Sequence, residues 1–293
     1  MLPQKLTYLP IVWEVRKILL FLRYFAVALC RYPKIQLISD TVKDFPTWWK
    51  TVRRNNDFLS YDQPWIVFGA KRFLDTILKK NMSVWEYGSG SSTLYYAKRV
   101  KQVYSIENDK NWFEHIFRVL KILPMALVNS QQSTVNSQQS TVNSQQSTVN
   151  SQQSTVNSQQ STVNSQQSTV TINYQLFEAD EQMTDLRFFS KSDNKTFEKY
   201  VKSIDKMPDN SLDVVMVDGR ARTACIAHSM AKVKQGGWLI VDNSDRKYYF
   251  ENNNELFDIT KWEQQEFIGL VPYTFQFSKT SFFQKITVQC KSN

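Results

Sequence analysis

Three cysteines, Cys30, Cys225 and Cys290, make an odd number with no short spacing between them. That pattern excludes a disulfide scaffold and a cysteine-based zinc cluster, and it fits a reducing compartment. Two histidines, His115 and His228, leave little room for histidine-rich metal chemistry. The apolar run from Ile18 to Leu29 is broken by Arg23 and preceded by Arg16 and Lys17. It falls short of the roughly 20 apolar residues of a spanning helix, and no cleavage site of the signal-peptide kind accompanies it. Two readings stay open for this segment: a helix packed on the domain, or one lying in a membrane interface with Trp13 and Tyr24 at headgroup level.

What the chain does have is an uneven charge. The net charge is +9 over 293 residues, and residues 1–56 hold ten Lys/Arg against Glu14, Asp40 and Asp44, which is +7. A nucleic-acid enzyme would more often spread its cations over the catalytic domain, so a nucleic-acid partner is not expected. The segment reads as a surface or partner contact, with peripheral membrane contact through residues 8–31 as one form of it. The expected location is cytoplasmic.

From Asn129 to Val170 the chain repeats Asn-Ser-Gln-Gln-Ser-Thr-Val six times. One apolar residue per seven cannot build a coiled-coil seam, which needs two, and Ser, Thr and Asn compete with the helix backbone. The tract reads as a low-complexity insertion without regular structure; stacked β-like units through the Val and Thr positions are the other reading. Three parts follow: a basic helical segment over 1–56, a catalytic domain over 57–128 and 171–293, and the repeat over 129–170.

Outside the repeat, strands and helices alternate. Helices are expected over 63–80, 91–99, after Asp109, around Phe197–Ile204 and from 219 to about Lys234. Strands are expected at 84–87, 103–106, 171–177, 212–217, 238–241, 262–268 and 281–288. The alternation implies an α/β, doubly wound, mostly parallel sheet, and the last two strands are close enough for an antiparallel pair.

The strongest chemical signal is Val84-Trp85-Glu86-Tyr87-Gly88-Ser89-Gly90-Ser91, a strand entering a glycine turn that opens a helix. Such a turn lets a ligand approach the backbone and offers free amides. Glu86 would repel a pyrophosphate but suits a cation, and Thr93 replaces the third glycine of the dinucleotide fingerprint. Glu107, at the end of the next strand, stands where a carboxylate can accept both ribose hydroxyls of a nucleoside. Residues 62–112, and again 212–243, resemble class I S-adenosylmethionine-dependent methyltransferases. That resemblance implies a seven-stranded sheet whose last pair is antiparallel, with Glu86, Gly88, Ser89, Gly90 and Ser91 at the methionine end of the cofactor and Glu107 at its ribose.

Asp218 and the pair Asp242-Asn243 end neighbouring strands and could converge on a divalent ion such as Mg²⁺. This is similar to the catechol and caffeoyl-CoA O-methyltransferase pattern, except that Arg220 and Arg222 stand where that group carries a lysine base. An arginine stays protonated and would sooner bind an anionic substrate group. Asp218 and Arg222 are the candidates for catalysis. Cys225 and His228 read as core or surface, and Trp48-Trp49 beside Arg53-Arg54 as packing aromatics with snorkelling cations.

The expected function is methyl transfer to a small-molecule or lipid-linked acceptor, on oxygen. The rivals are a nicotinamide-dependent oxidoreductase, a membrane-associated binding module without activity, and an aminopropyltransferase, for which no acidic polyamine site is visible.

Overall fold

The computed structural model describes residues 10–52, 59, 63–123, 126–132, 169–183 and 185–287. Arg53, Arg54, Asp62 and repeat residues 133–168 lie outside the described residues. Two helices come first, α1 (Pro10–Arg31) and α2 (Ile35–Thr51), followed by α3 (Phe68–Ile77). Then β1 (Ser83–Tyr87), α4 (Ser91–Ala97), β2 (Gln102–Glu107) and α5 (Lys110–Lys121) alternate. Next come β3 (Ala126–Gln132), β4 (Val170–Leu176), the short strands β5 (Phe189–Ser190) and β6 (Lys195–Thr196), and α6 (Glu198–Lys202). The chain closes with β7 (Leu212–Val217), α7 (Arg222–Met230), β8 (Val233–Val241), β9 (Trp262–Leu270) and β10 (Phe277–Lys285).

The main sheet runs β3-β4-β2-β1-β7-β8-β10-β9. Its neighbours pair in parallel except β10, which is antiparallel to both β8 and β9. Successive side chains of a strand point to opposite faces, and β1 shows the consequence. Val84 joins the core under α3, α4 and α5 with Leu74, Tyr95 and Ile116. Its neighbours Trp85 and Tyr87 join the core under α6 and α7 with Tyr200, Val201 and Ile226. Asp109 caps α5 as its position suggested, accepting the Trp112 N–H at 2.8 Å.

Two expectations are corrected. The sheet has eight strands, not seven: β3 adds an edge strand in register with β4, from Ala126↔Val170 to Gln132↔Leu176. Four residues of the first repeat copy and the last residue of the sixth are therefore in strand. An edge strand needs little more than backbone donors and acceptors, so polar residues suffice there. The helix expected to run to about Lys234 ends at Met230, and the strand expected at 238–241 begins earlier, at Val233, with Gly236-Gly237 inside it where the β7–β8 pairing shifts register.

The N-terminal helices pack on the β9–β10 hairpin. Trp48 and Val52 of the α2 region are buried with Phe68 and Leu270, and Phe21, Phe45, Phe275 and Phe277 pack around them. Trp48, fully buried, donates its indole N–H to the Thr274 carbonyl at 2.7 Å. Lys17 snorkels across the Trp49 ring, 3.8 Å from its centroid, to the Trp49 carbonyl. No described helix is long and apolar enough to cross a membrane.

Candidate functional site

β2 lies on one side of β1 and β7 on the other, so the turns that leave β1 and β7 diverge and open a crevice. A cavity of about 640 Å³ occupies it. The turn Gly88–Ser92 forms one wall, and Glu107, Asn108, Asp109 and Trp112 form the next. Asp218, Gly219, Arg220, Asp242 and Asn243 lie opposite. Val271, Thr274, Gln276 and Ser278, from the β9–β10 hairpin, close the rim together with Trp65.

The glycine turn is held at a single residue. Ser89 gives its N–H (3.0 Å) and its hydroxyl (2.6 Å) to Glu107 Oε2, and its carbonyl accepts the Trp112 indole at 2.9 Å. The Tyr174 hydroxyl lies 2.7 Å from the same Ser89 hydroxyl. The other carboxylate oxygen of Glu107 accepts the N–H groups of Asn108 (2.7 Å) and Asp109 (2.9 Å). Gly88 has a φ of +90° and lies so close to the β7 turn that a Cβ would sit 3.1 Å from the Asp218 carbonyl oxygen. Only glycine satisfies both conditions. A Cβ on Gly90, by contrast, would meet nothing nearer than Trp112 at 3.8 Å, so its missing side chain leaves open space on the cavity wall.

Glu86 lies beneath the turn and does not line the cavity. Fully buried, it accepts the Thr93 hydroxyl through Oε1, and the Thr93 oxygen accepts the Gly90 N–H at 3.1 Å. Its Oε2 is buried with no hydrogen-bond partner. Burial pushes the Glu86 carboxyl up to about 7, against the pull of the Thr93 hydroxyl.

Arg222, expected to face a substrate, is a brace instead. Its buried guanidinium donates to the carbonyls of Gly219 (3.0 Å), Asp242 (2.6 Å) and Asp218 (3.0 Å), and to Asp218 Oδ1 at 2.7 Å. Those bonds tie the ends of β7 and β8 together. The Asp218 carboxylate stays partly exposed at the cavity; burial raises its carboxyl and the Arg222 charge pulls it back. Arg220, which does line the cavity, pairs with Asp193 at 2.9 Å.

The proposed metal ligands are turned to protein partners. Asp218 faces Arg222, Asp242 accepts the Thr280 hydroxyl at 2.6 Å, and the Asn243 amide donates to the Ser278 hydroxyl at 2.9 Å. Burial, and then the nearby Asp218, push the Asp242 carboxyl up to about 7. Among the described residues no three His, Cys, Asp or Glu side chains stand where one ion could be held. A guanidinium bound to the first candidate ligand leaves a dication poorly accommodated, so these residues do not fit a divalent ion. Cys225 and His228 are outside the cavity: Cys225 is buried against the Arg220 carbonyl, and His228 Nδ1 lies 2.8 Å from Asp205.

A mostly parallel sheet whose one antiparallel strand is inserted between β8 and β9, with a glycine turn after β1, decides the architecture. That strand order, with its last pair antiparallel, is what the resemblance to the class I S-adenosylmethionine-dependent methyltransferases implies. No protein-family model and no curated protein sequence matches the chain. Among solved structures it is similar to a Corynebacterium glutamicum protein at 8% identity and TM-score 0.46, over 85% of this chain and 99% of that one. It is similar to an rRNA methylase of Streptococcus thermophilus at 10% identity and TM-score 0.40, over 75% and 95%. A tRNA methyltransferase of Aquifex aeolicus follows at 10% and 0.39, over 77% and 72%. The fold assignment rests on strand order, not on these distant likenesses.

Trp65 and the hairpin residues Val271, Thr274, Gln276 and Ser278 were not anticipated as site residues. Trp65 sits next to a proline in the segment 62–65, and that pairing is the one local cue. The hairpin residues reach the cavity only through the tertiary fold.

Proposed function

We propose that the protein transfers a methyl group from S-adenosylmethionine to an oxygen of a small-molecule or lipid-linked acceptor. The observation that carries this reading is the charge of the cavity. Glu107, Asp109, Asp218 and Asp242 line it against Arg220 and, behind Asp218, Arg222, so acids outnumber cations, and Glu86 lies beneath the turn with an unpartnered carboxylate oxygen. A diphosphate would enter against four carboxylates, whereas a sulfonium and an ammonium would be drawn in. The same balance disfavours a nicotinamide dinucleotide.

The residues fit the group in three places. The orphaned Oε2 of Glu86 would answer the ammonium from beneath the turn through one water. The open space at Gly90 leaves room for the methionine chain beside Ser89 and Ser91. Glu107 lines the cavity at its strand end and would accept a ribose hydroxyl in place of the Ser89 hydroxyl. When bound, the cofactor supplies an electrophilic methyl on a positively charged sulfur.

This chain's part is alignment and proton handling. The Gly88–Ser92 turn and Glu107 would fix one reactant, and the hairpin rim would hold the other against it, a contribution of up to roughly 7–11 kcal/mol when geometry is good. Asp218, partly exposed at the cavity, would take the acceptor's hydroxyl proton as the new bond to oxygen forms. Arg222 is a positioning residue that holds it. No step passes through a metal ion.

The test is titration calorimetry against S-adenosylmethionine and NAD, followed by transfer of labelled methyl to a lipid and metabolite extract with and without EDTA. Saturable binding of the first ligand alone, and transfer indifferent to EDTA, are expected. Heat with NAD and none with the sulfonium compound would sink the proposal.

A further inference from the structure

Helix α1 has two apolar faces, and the domain covers only one. Phe21, Phe25 and Ala28 turn inward onto the hairpin and α2. Val15, Ile18, Leu19 and Leu22 follow a spacing of three and four, which is one stripe of a helix, and Leu19 is 62% exposed. α2 repeats the pattern: Ile35, Ile38 and Val42 are uncovered, Ile35 at 86% and Val42 at 70%. Exposed apolar side chains scattered singly need no explanation, but a stripe on each of two helices does.

The charges beside the stripes share one sign. Arg16, Arg23, Lys34 and Lys43 are exposed. The acids of the same helices are engaged: Glu14 lies 3.7 Å from Lys17, Asp44 is bound by Arg72, and Asp40 accepts from Gln36. An apolar stripe edged by cations is the signature of a helix lying in the plane of a lipid headgroup layer. Five charged residues within α1 exclude the alternative of crossing it.

We propose that the outer face of the α1–α2 pair docks on an anionic lipid bilayer. A second copy of the chain is the weaker occupant, because a two-fold contact through this face would bring the Arg16 and Arg23 side chains of both copies together. RNA would use the cations and leave both apolar stripes in water. The inference does not depend on what the cavity binds.

The full-length protein is sedimented with vesicles of phosphatidylcholine alone and with vesicles containing phosphatidylglycerol, at low and high salt. Leu19→Glu/Leu22→Glu and Arg16→Gln/Arg23→Gln serve as variants. Both pairs are solvent-facing, and each variant's circular dichroism and melting temperature should match the wild type, which separates docking from folding. Wild-type protein should pellet with the anionic vesicles and stay in solution with the neutral ones. The leucine variant should lose at least ~10-fold in partitioning, and each arginine about 5-fold, an effect that high salt reproduces. Equal partitioning of the leucine variant, or none by the wild type, overturns the proposal. So does a wild-type dimer that the leucine variant dissolves while neither protein pellets, or protein released from the vesicles by RNA.

Discussion

Glu86 is ionisable and wholly enclosed, and its lone oxygen makes it sensitive to pH in a way an exposed glutamate is not. Its folded value of about 7 lies above the ordinary 4.5. Between those values the folded state holds the proton more tightly than the unfolded chain, so rising pH costs stability across that window, and the loss is complete above it. A displacement of that size corresponds to about 3 kcal/mol. Glu86→Gln removes this contribution and leaves that of Asp242, whose carboxyl is also raised to about 7. Measured by urea unfolding, the difference between wild type and variant should move by about 3 kcal/mol towards the variant from pH 4 to pH 8. A constant difference over that range would show that Glu86 is not the titrating group. If the cavity takes a cation, its binding at pH 6.5 should release a proton, read as a dependence of the calorimetric enthalpy on the buffer's ionisation enthalpy.

Arg222 makes the opposite case at the same scale, a charge whose worth is structural. Arg222→Met leaves three carbonyls and the Asp218 carboxylate without their donor, and breaking a buried pair from one side costs about 3–5 kcal/mol. Asp218→Asn keeps the shape and removes the base. It should lower turnover by ~10²-fold or more while ligand affinity stays within about threefold. A loss of affinity with turnover intact would remove Asp218 from the proton step.

Among elements, the legible ones are those whose partners are close in sequence. β1, its glycine turn, α4 and Glu107 span a short stretch, so turn chemistry and the spacing to the next strand suffice to bring Ser89 and Glu107 together. Arg222 was misread because its partners are backbone carbonyls of two strand ends, and a carbonyl has no letter in a sequence. The hairpin rim stayed hidden for a related reason. Nothing in Val271-Pro272-Tyr273-Thr274 announces that Trp48, 226 positions earlier, fixes Thr274.

β3 was invisible because its apolar signal is only three residues long, Ala126-Leu127-Val128, and the rest of the strand is the polar start of the repeat. A parallel pair needs a crossover of a dozen or more residues, and the repeat supplies that length between Gln132 and Val170. Shortening six copies to one leaves only Ser133-Thr134-Val135 to connect them, which forbids the pairing. The single-copy protein should therefore fold with seven strands and keep its ligand affinity within about twofold, with Tm lowered by roughly 2–4 °C at most. Collapse of the fold would mean that the edge strand is indispensable.

At the scale of the whole molecule, the N-terminal helices pack on the domain, one of the two readings their sequence left open. Their composition set them apart, a basic and aromatic segment ahead of an α/β pattern, but Trp48, Val52 and Phe68 share one core with Leu270. Removing residues 1–52 strips that core and frees the β9–β10 turn. The truncated chain should either be insoluble or bind the cofactor at least ~10-fold more weakly. Unchanged affinity in a soluble truncation would show that the rim holds its shape alone.

The bond from Trp48 to Thr274 has one more consequence. Its indole is rooted in the helix pair, and the carbonyl it grips belongs to the mouth of the cavity. Thr51 of α2 grips the same turn, accepting the Tyr273 N–H at 3.3 Å, so a force that tilts α2 from outside would reach the doorway through which a reactant must pass.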